Sequence, residues 1–187
     1  LRLLLKDQMD LVDILIPRSA KVTTNFGTQS IPAFIEETGF RQVILNLVIN
    51  ARDAIERTGK IQISLKKVSK GQRIMKSAIG EKRLAPFEGA ELALTDNGKG
   101  IPTEIQEKLF DPFITTKTSG NGSGFGLYNT KVFIEDHNGL IGFATTEGKG
   151  TTFFLFIPLE SDEDENSVDY IKRTKRATRA FIKTKKN

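Results

Sequence analysis

Asn46, Asn50 and Asp53 recur at intervals of four and three residues inside a stretch, Val43 to Ile55, that is otherwise strongly apolar. On a helix the three fall within about 60° of arc, while Ile44, Leu47, Val48, Ala51 and Ile55 gather on the opposite face as core contacts. A buried amide without a partner costs roughly 1–3 kcal/mol. Two amides beside a carboxylate therefore mark a binding stripe, chemically suited to a hydrated metal ion and phosphate oxygens.

Two further constellations carry chemistry. Asp96 ends an alternating stretch on the same face as Leu92 and Leu94, which aims its carboxylate at the apolar layer, where it needs a donor. The following Asn-Gly-Lys-Gly100 supplies Gly98 and Gly100, whose backbone can lie flat against a ligand where a β-carbon would collide. A carboxylate so placed can read the exocyclic amine of a purine; the same residues also read as a tight turn. Gly120-Asn-Gly-Ser-Gly-Phe-Gly126 sets glycines at alternate positions and runs straight into a helix, whose free N–H groups favour phosphate. A glycine-rich loop without a ligand is the alternative. Neither the dinucleotide fingerprint nor the P-loop spacing is present, and the eukaryotic-type protein kinase motifs are absent.

The elements that must hold these residues follow from periodicity. Leu1 to Ile16 reads as a helix, Lys21 to Phe26 as a strand and Pro32 to Ile35 as a second short strand. Thr38 to Arg57 is the central helix, with Thr38 as cap and Gly59 as stop. Lys60 to Val68 and Glu91 to Asp96 alternate as half-buried strands that pair as a hairpin, and the basic stretch Ser69 to Gly89 between them is a surface excursion. Pro102 to Phe110 is a short helix with Pro in its first turn. Thr115 to Gly124 is a mobile loop, Phe125 to His137 a helix ended by Asn138 and Gly139, and Leu140 to Thr145 and Thr151 to Pro158 are closing strands. This order of helices and mostly antiparallel strands gives a two-layer α/β sandwich.

The chain has 187 residues and no cysteine, which suits one compact domain with tails, excludes disulfides and thiolate metal sites, and points to the cytosol. No apolar run reaches the roughly 20 residues of a membrane span, so no membrane contact is expected. The absence of an initiating Met, with a helix opening at Leu1, points to a piece of a longer chain. The net charge of +5 is uneven: Glu160 to Glu165 is acidic, and Lys172 to Lys186 holds eight Lys or Arg and no acid. Such a terminus is read as solvated and mobile, with nucleic-acid binding as the alternative.

Taken in order, these motifs resemble the catalytic, ATP-binding domain of bacterial two-component sensor histidine kinases, within the wider ATPase group that includes gyrase and MutL. The resemblance runs from about Lys21 to Leu159. Asn46-Leu-Val-Ile-Asn50-Ala-Arg-Asp53-Ala is similar to the asparagine box, and Asp96-Asn-Gly-Lys-Gly100 to the first glycine box. Phe110-Asp-Pro-Phe-Ile-Thr-Thr-Lys117 is similar to the phenylalanine box, Gly122-Ser-Gly-Phe-Gly126-Leu to the second glycine box, and Gly148-Lys-Gly-Thr151-Thr-Phe153 to the closing segment.

The resemblance implies a Bergerat fold, a sheet of about five strands on about three helices under a mobile lid. It implies residues 1–19 as a linker, 20–159 as the catalytic domain and 160–187 as a tail. It also implies ATP and Mg2+ as cofactors. Asn50 would coordinate magnesium, with Asn46 supporting the phosphates. Asp96 would accept from adenine, helped through water by Thr151 or Thr152, within a base site that includes Gly98, Gly100 and Ile101. Thr116, Lys117 and the segment Gly122, Ser123, Gly124, Phe125, Gly126 and Leu127 would hold the phosphates, Phe110 and Phe113 would anchor the lid or serve as core, and Asp53 would orient water or lid groups. Asn46, Asn50 and Lys117 would form the catalytic set.

Hydrolysing relatives carry Glu where this chain has Asn46, and an amide cannot take a proton, which implies phosphoryl transfer rather than hydrolysis. The only histidine, His137, stands where the family has a structural one. The implied partners are thus a histidine-bearing dimerisation domain before Leu1 and a response regulator. A non-catalytic nucleotide-sensing module and an ATPase of the same group are the alternatives.

Overall fold

The computed structural model describes residues 1–56, 58–76, 82–85, 88–115 and 124–159. In chain order the elements are α1 (Arg2–Leu15), β1 (Ala20–Asn25), α2 (Glu37–Ala54), β2 (Gly59–Val68), β3 (Arg73–Lys76), β4 (Lys82–Leu84), β5 (Gly89–Asp96), α3 (Thr103–Gln106), α4 (Gly126–Asp136), β6 (Leu140–Thr146) and β7 (Gly150–Pro158).

Alternation along β2, β5 and β7 decides the architecture. Ile61, Ile63 and Leu65 share one face with Ala90, Leu92 and Leu94, and with Phe153, Leu155 and Ile157; all are buried in one core with Phe40, Val43, Ile44, Leu47 and Val48 of α2. The five-stranded sheet has the order β1-β2-β5-β7-β6, parallel only between β1 and β2. A smaller cluster, Val68, Ala85, Leu140 and Phe156, covers part of the opposite face. The expected mixed, mostly antiparallel sheet under helices is therefore the fold. Helix α1 docks on α2 through buried Leu5, Gln8 and Val12, and Gln8 Nε2 donates to the Arg41 carbonyl at 2.6 Å.

Several boundaries differ from the sequence reading. Helix α2 is capped by Glu36, not Thr38: its carboxylate accepts from the N–H groups of Thr38 (2.7 Å) and Gly39 (2.6 Å), satisfying donors that the first turn leaves free. The helix stops at Ala54 because Ile55 is extended, and Gly59 opens β2 instead of ending α2. Residues 32–35 form no strand; Ile31 is buried beside them and no sheet edge pairs with them. The β2 and β5 strands pair antiparallel as expected, but their connection contains the two-stranded β3–β4 ladder. Helix α3 spans only four residues before tight turns reach the buried Leu109. Among the described residues no helix is long and apolar enough to cross a membrane.

Candidate functional site

A cleft of about 280 Å3 opens between the polar stripe of α2 and the ends of β5 and β7. Asn46, Asn50 and Asp53 line it from α2, Asp96 from the end of β5, Gly100 and Ile101 from the turn that follows, Gly124, Gly126 and Leu127 from the start of α4, and Thr151 from β7. Residues separated by about a hundred positions thus meet because β5 and β7 are neighbours and α2 crosses the same face.

Asp96 is 4 % exposed. Its Oδ1 accepts from the backbone N–H of Gly98 at 2.8 Å and of Thr151 at 3.3 Å, and no donor among the described residues reaches Oδ2. Burial raises its pKa above the ordinary carboxylate value, and the two N–H bonds oppose that rise. Around it, the Thr145 hydroxyl accepts from Ile101 N–H (3.0 Å), donates to the Gly150 carbonyl (3.1 Å) and lies 3.0 Å from the Thr151 hydroxyl, which fixes both flanking turns.

The two amides of α2 differ. Asn46 is used by the protein: its Nδ2 donates to the Gly126 carbonyl (3.3 Å) and its Oδ1 accepts from Gln42 Nε2 (3.1 Å), tying α2 to the first turn of α4. Asn50 lines the cleft with no hydrogen-bond partner among the described residues. Asp53 is exposed and pairs with Arg52 at 2.8 Å. Among the described residues no side chain caps the start of α4, whose first turn faces the cleft through Gly126 and Leu127.

Gly98 is needed for a reason other than a ligand: a β-carbon there would collide with the Ala54 carbonyl oxygen, and the neighbouring Lys99 N–H donates to that same oxygen at 2.9 Å. The turn is thereby locked onto the end of α2. Phe110 packs edge-on against Phe143 of the core. Phe113 is 71 % exposed and meets Phe125 at a centroid distance of 4.7 Å. Thr152 is not brought to the cleft; alternation along β7 turns it to the other sheet face, where its hydroxyl lies 3.0 Å from that of Thr95. Thr116, Lys117, Gly122 and Ser123 lie outside the described residues, as does the tail from Glu160.

The cleft also includes residues to which the motifs assigned no role. Ile49, Ile105, Leu109, Ile114 and Phe153 form its apolar walls, and Lys99 brings a cation to its rim. The walls suit a flat aromatic base, and the four-residue spacing of Ile101, Ile105 and Leu109 was the available signal. Among the described residues there is no group of three or more His, Cys, Asp or Glu that could hold a metal. An ion here would rest on the Asn50 amide oxygen and on ligand oxygens, which fits the donor set present.

Residues 35–161 match the profile of the histidine kinase-, DNA gyrase B- and HSP90-like ATPases. The chain is 32 % identical over 154 residues to the sensor kinase CckA of Brucella abortus, covering 82 % of this chain and 16 % of that protein. It is 34 % identical over 154 residues to the sensory histidine kinase/phosphatase NtrB of Rhizobium leguminosarum, covering 80 % and 39 %. The chain thus spans well under half the length of these relatives. The catalytic domain of the histidine kinase ThkA superposes with a TM-score of 0.59 at 26 % identity, over 84 % of this chain and 88 % of that one. The fold, the cleft and a profile match over more than half of its residues agree: this chain belongs to the histidine kinase-, DNA gyrase B- and HSP90-like ATPase family.

Proposed function

We propose that the cleft binds magnesium-ATP and presents its γ-phosphoryl group to a histidine on a dimerisation domain outside these 187 residues, in a two-component sensor kinase that serves a response regulator. The observation that carries the reading is the state of two polar groups. Among the described residues Asn50 has no hydrogen-bond partner, and Asp96 has both of its hydrogen bonds on one oxygen. A purely structural stripe would have paired both.

Each group has a role that its chemistry permits. The Asp96 Oδ2 accepts from the adenine amine, with the ring between Ile101, Ile105 and Phe153. The N–H groups at the start of α4 receive phosphate oxygens. The Asn50 amide oxygen holds the hydrated cation, which when bound offsets phosphate charge. Asn46 keeps the first turn of α4 in place and, being an amide, supplies no general base for water. Phosphoryl transfer is therefore favoured over hydrolysis. Lys117, Thr116, Gly122 and Ser123 contribute phosphate contacts by family resemblance. ATP supply places the domain in the cytoplasm, whether or not the intact protein is anchored.

Titration calorimetry on the whole chain with a non-hydrolysable ATP analogue, with and without Mg2+, tests the site. Asp96→Asn is expected to lose most affinity in both conditions, and Asn50→Ala chiefly the magnesium-dependent part. Unchanged binding in both variants refutes the assignment.

A further inference from the structure

Thr145 of β6 stands directly opposite Thr151 of β7, on the sheet face that also carries Phe143 and Phe153 into the core. Its hydroxyl meets three groups: the Ile101 N–H at 3.0 Å, the Gly150 carbonyl at 3.1 Å and the Thr151 hydroxyl at 3.0 Å. A hydroxyl has one proton to give and two lone pairs to receive with. An N–H can only donate and a carbonyl can only accept, so Thr145 receives from Ile101 and gives its proton to Gly150. One lone pair remains, and the Thr151 hydroxyl donates into it. The reverse direction would take this donor from the Gly150 carbonyl and leave the Thr151 proton without an acceptor among the described residues. Burial penalises that arrangement, since Thr151 is 4 % exposed. The hydroxyls of Thr95 and Thr152 on the other sheet face also lie 3.0 Å apart, but no third group among the described residues fixes their direction.

The direction matters because Thr151 lines the cleft, while Thr145 itself does not. With its proton committed to Thr145, the Thr151 hydroxyl offers a ligand only lone pairs. Its neighbour Asp96, bound through the Thr151 N–H at 3.3 Å, offers Oδ2, which no donor among the described residues reaches. Two acceptors thus face the same corner of the cleft. A water shared between them would give both of its protons to them and keep only lone pairs for a ligand. An exocyclic amine, with two N–H donors, matches this corner; a carbonyl in its place sets acceptor against acceptor.

We propose that Thr145 is a positioning residue for base specificity, orienting the Thr151 hydroxyl so that the cleft selects a 6-aminopurine over a 6-oxopurine. The role of Thr145 rests on the nucleotide reading of the cleft. Serine at this position keeps the hydroxyl and the direction. In Thr145→Val the shape is kept but the acceptor is lost, so the Thr151 proton turns to the ligand, where it can donate to a 6-carbonyl.

ADP and inosine diphosphate carry bases that differ in a 6-amine against a 6-carbonyl and in the proton that the carbonyl form holds at N1. Both are titrated calorimetrically, with Mg2+, into the whole chain and into Thr145→Val and Thr145→Ser. The parent should prefer ADP, and the ratio of the two affinities should fall about tenfold in Thr145→Val and stay within about twofold in Thr145→Ser. A residue that only held the turns would weaken both nucleotides alike, so an unchanged ratio in Thr145→Val overturns the proposal. A parent without preference for ADP does so as well. Should Thr145→Val fail to fold, Thr151→Val removes the oriented acceptor directly; the ratio should again fall, and an unmoved ratio there also overturns the proposal. Asp96→Asn in the same titrations separates the two readings. Lost ADP affinity in that variant, with an unmoved ratio in the threonine variants, refutes the role of Thr145 alone. Unchanged ADP affinity in Asp96→Asn refutes the nucleotide site, and the role of Thr145 with it.

Discussion

Glu36 donates its backbone N–H to His137 Nε2 at 3.2 Å, which ties the start of α2 to the end of α4. The other ring nitrogen, Nδ1, lies 2.8 Å from the Phe133 carbonyl, so Nδ1 carries the proton and both nitrogens are committed to backbone. The ring also lies 4.3 Å from that of Phe133. A histidine so placed is a latch between helices, with neither nitrogen free for phosphorylation. Incubation of the chain with γ-labelled ATP should leave it unlabelled. Robust acid-labile label on His137 would remove the need for an acceptor elsewhere.

The same residue, Glu36, makes helix α2 sensitive to acid. The N–H bonds from Gly39 and Thr38 hold its carboxyl below the ordinary value of about 4.3. A carboxyl whose folded pKa is depressed contributes stability that is present above its unfolded value and is lost as pH falls through its folded value. Urea melts of the parent and of Glu36→Gln should differ at pH 6, with the parent more stable, and converge as pH drops below about 4. A difference independent of pH would show that shape alone, not charge, makes the cap.

Asp96 has the opposite sign. Its raised pKa means that the folded chain holds its proton more tightly than the unfolded one. Stability is then lost as pH rises from the unfolded value of about 3.9 through the folded one. Asp96→Asn keeps an oxygen for the Gly98 and Thr151 N–H groups and removes the buried charge. It should melt at a higher temperature than the parent at pH 7 without nucleotide, and the advantage should vanish near pH 3. This is a site that binds at a cost in stability. A lower melting temperature for Asp96→Asn at pH 7 would contradict it.

Much of this site was written in local patterns. The polar stripe of α2 is periodic and so survived folding, as did the alternation that puts Asp96 and Thr151 on the core face. That alternation also excludes Thr152 from a cleft containing Thr151, a consequence available before any coordinates. The features that were not legible depend on tertiary contact. Glu36 caps α2 because its longer side chain reaches two N–H groups, where capping preferences favour Thr38. Residues 32–35 have strand composition but no partner edge, and composition cannot supply one. Gly98 is fixed by the passing Ala54 carbonyl, which no spacing within the glycine box reveals.

Gly98, in the turn beside the cleft, and Gly126, in its lining, should respond oppositely to alanine. At Gly98 the added carbon meets backbone that cannot yield, so Gly98→Ala should cost about 1–3 kcal/mol of stability. At Gly126 the nearest atoms are those of the Asn46 side chain, at 3.8 and 3.9 Å, and the position is helical. Gly126→Ala should therefore leave stability unchanged or raise it by about 0.4–1 kcal/mol. Because Gly126 lines the cleft, the same variant should weaken nucleotide binding. Denaturant melts separate the two, and a Gly126→Ala protein less stable than Gly98→Ala would invalidate the packing argument.

Asn46 bridges α2 and α4 by donating, and that direction can be tested with one atom. Asn46→Asp replaces Nδ2 by an oxygen facing the Gly126 carbonyl, which keeps the Thr130 hydroxyl at 2.8 Å and the helix's own N–H as donors. Two effects compete. A carboxylate near the start of α4 gains about 0.3–1 kcal/mol from the helix dipole, whereas an acceptor facing an acceptor loses roughly 1–3 kcal/mol. The loss is larger, so Asn46→Asp should be less stable than the parent, and less stable than Asn46→Ala, which removes the bond without adding repulsion. It should also bind the ATP analogue about tenfold more weakly than the alanine variant, about 1.4 kcal/mol, because the new charge faces phosphates. Equal stability and affinity for the Asp and Ala variants would show that Asn46 fills space in the cleft and does not join the helices.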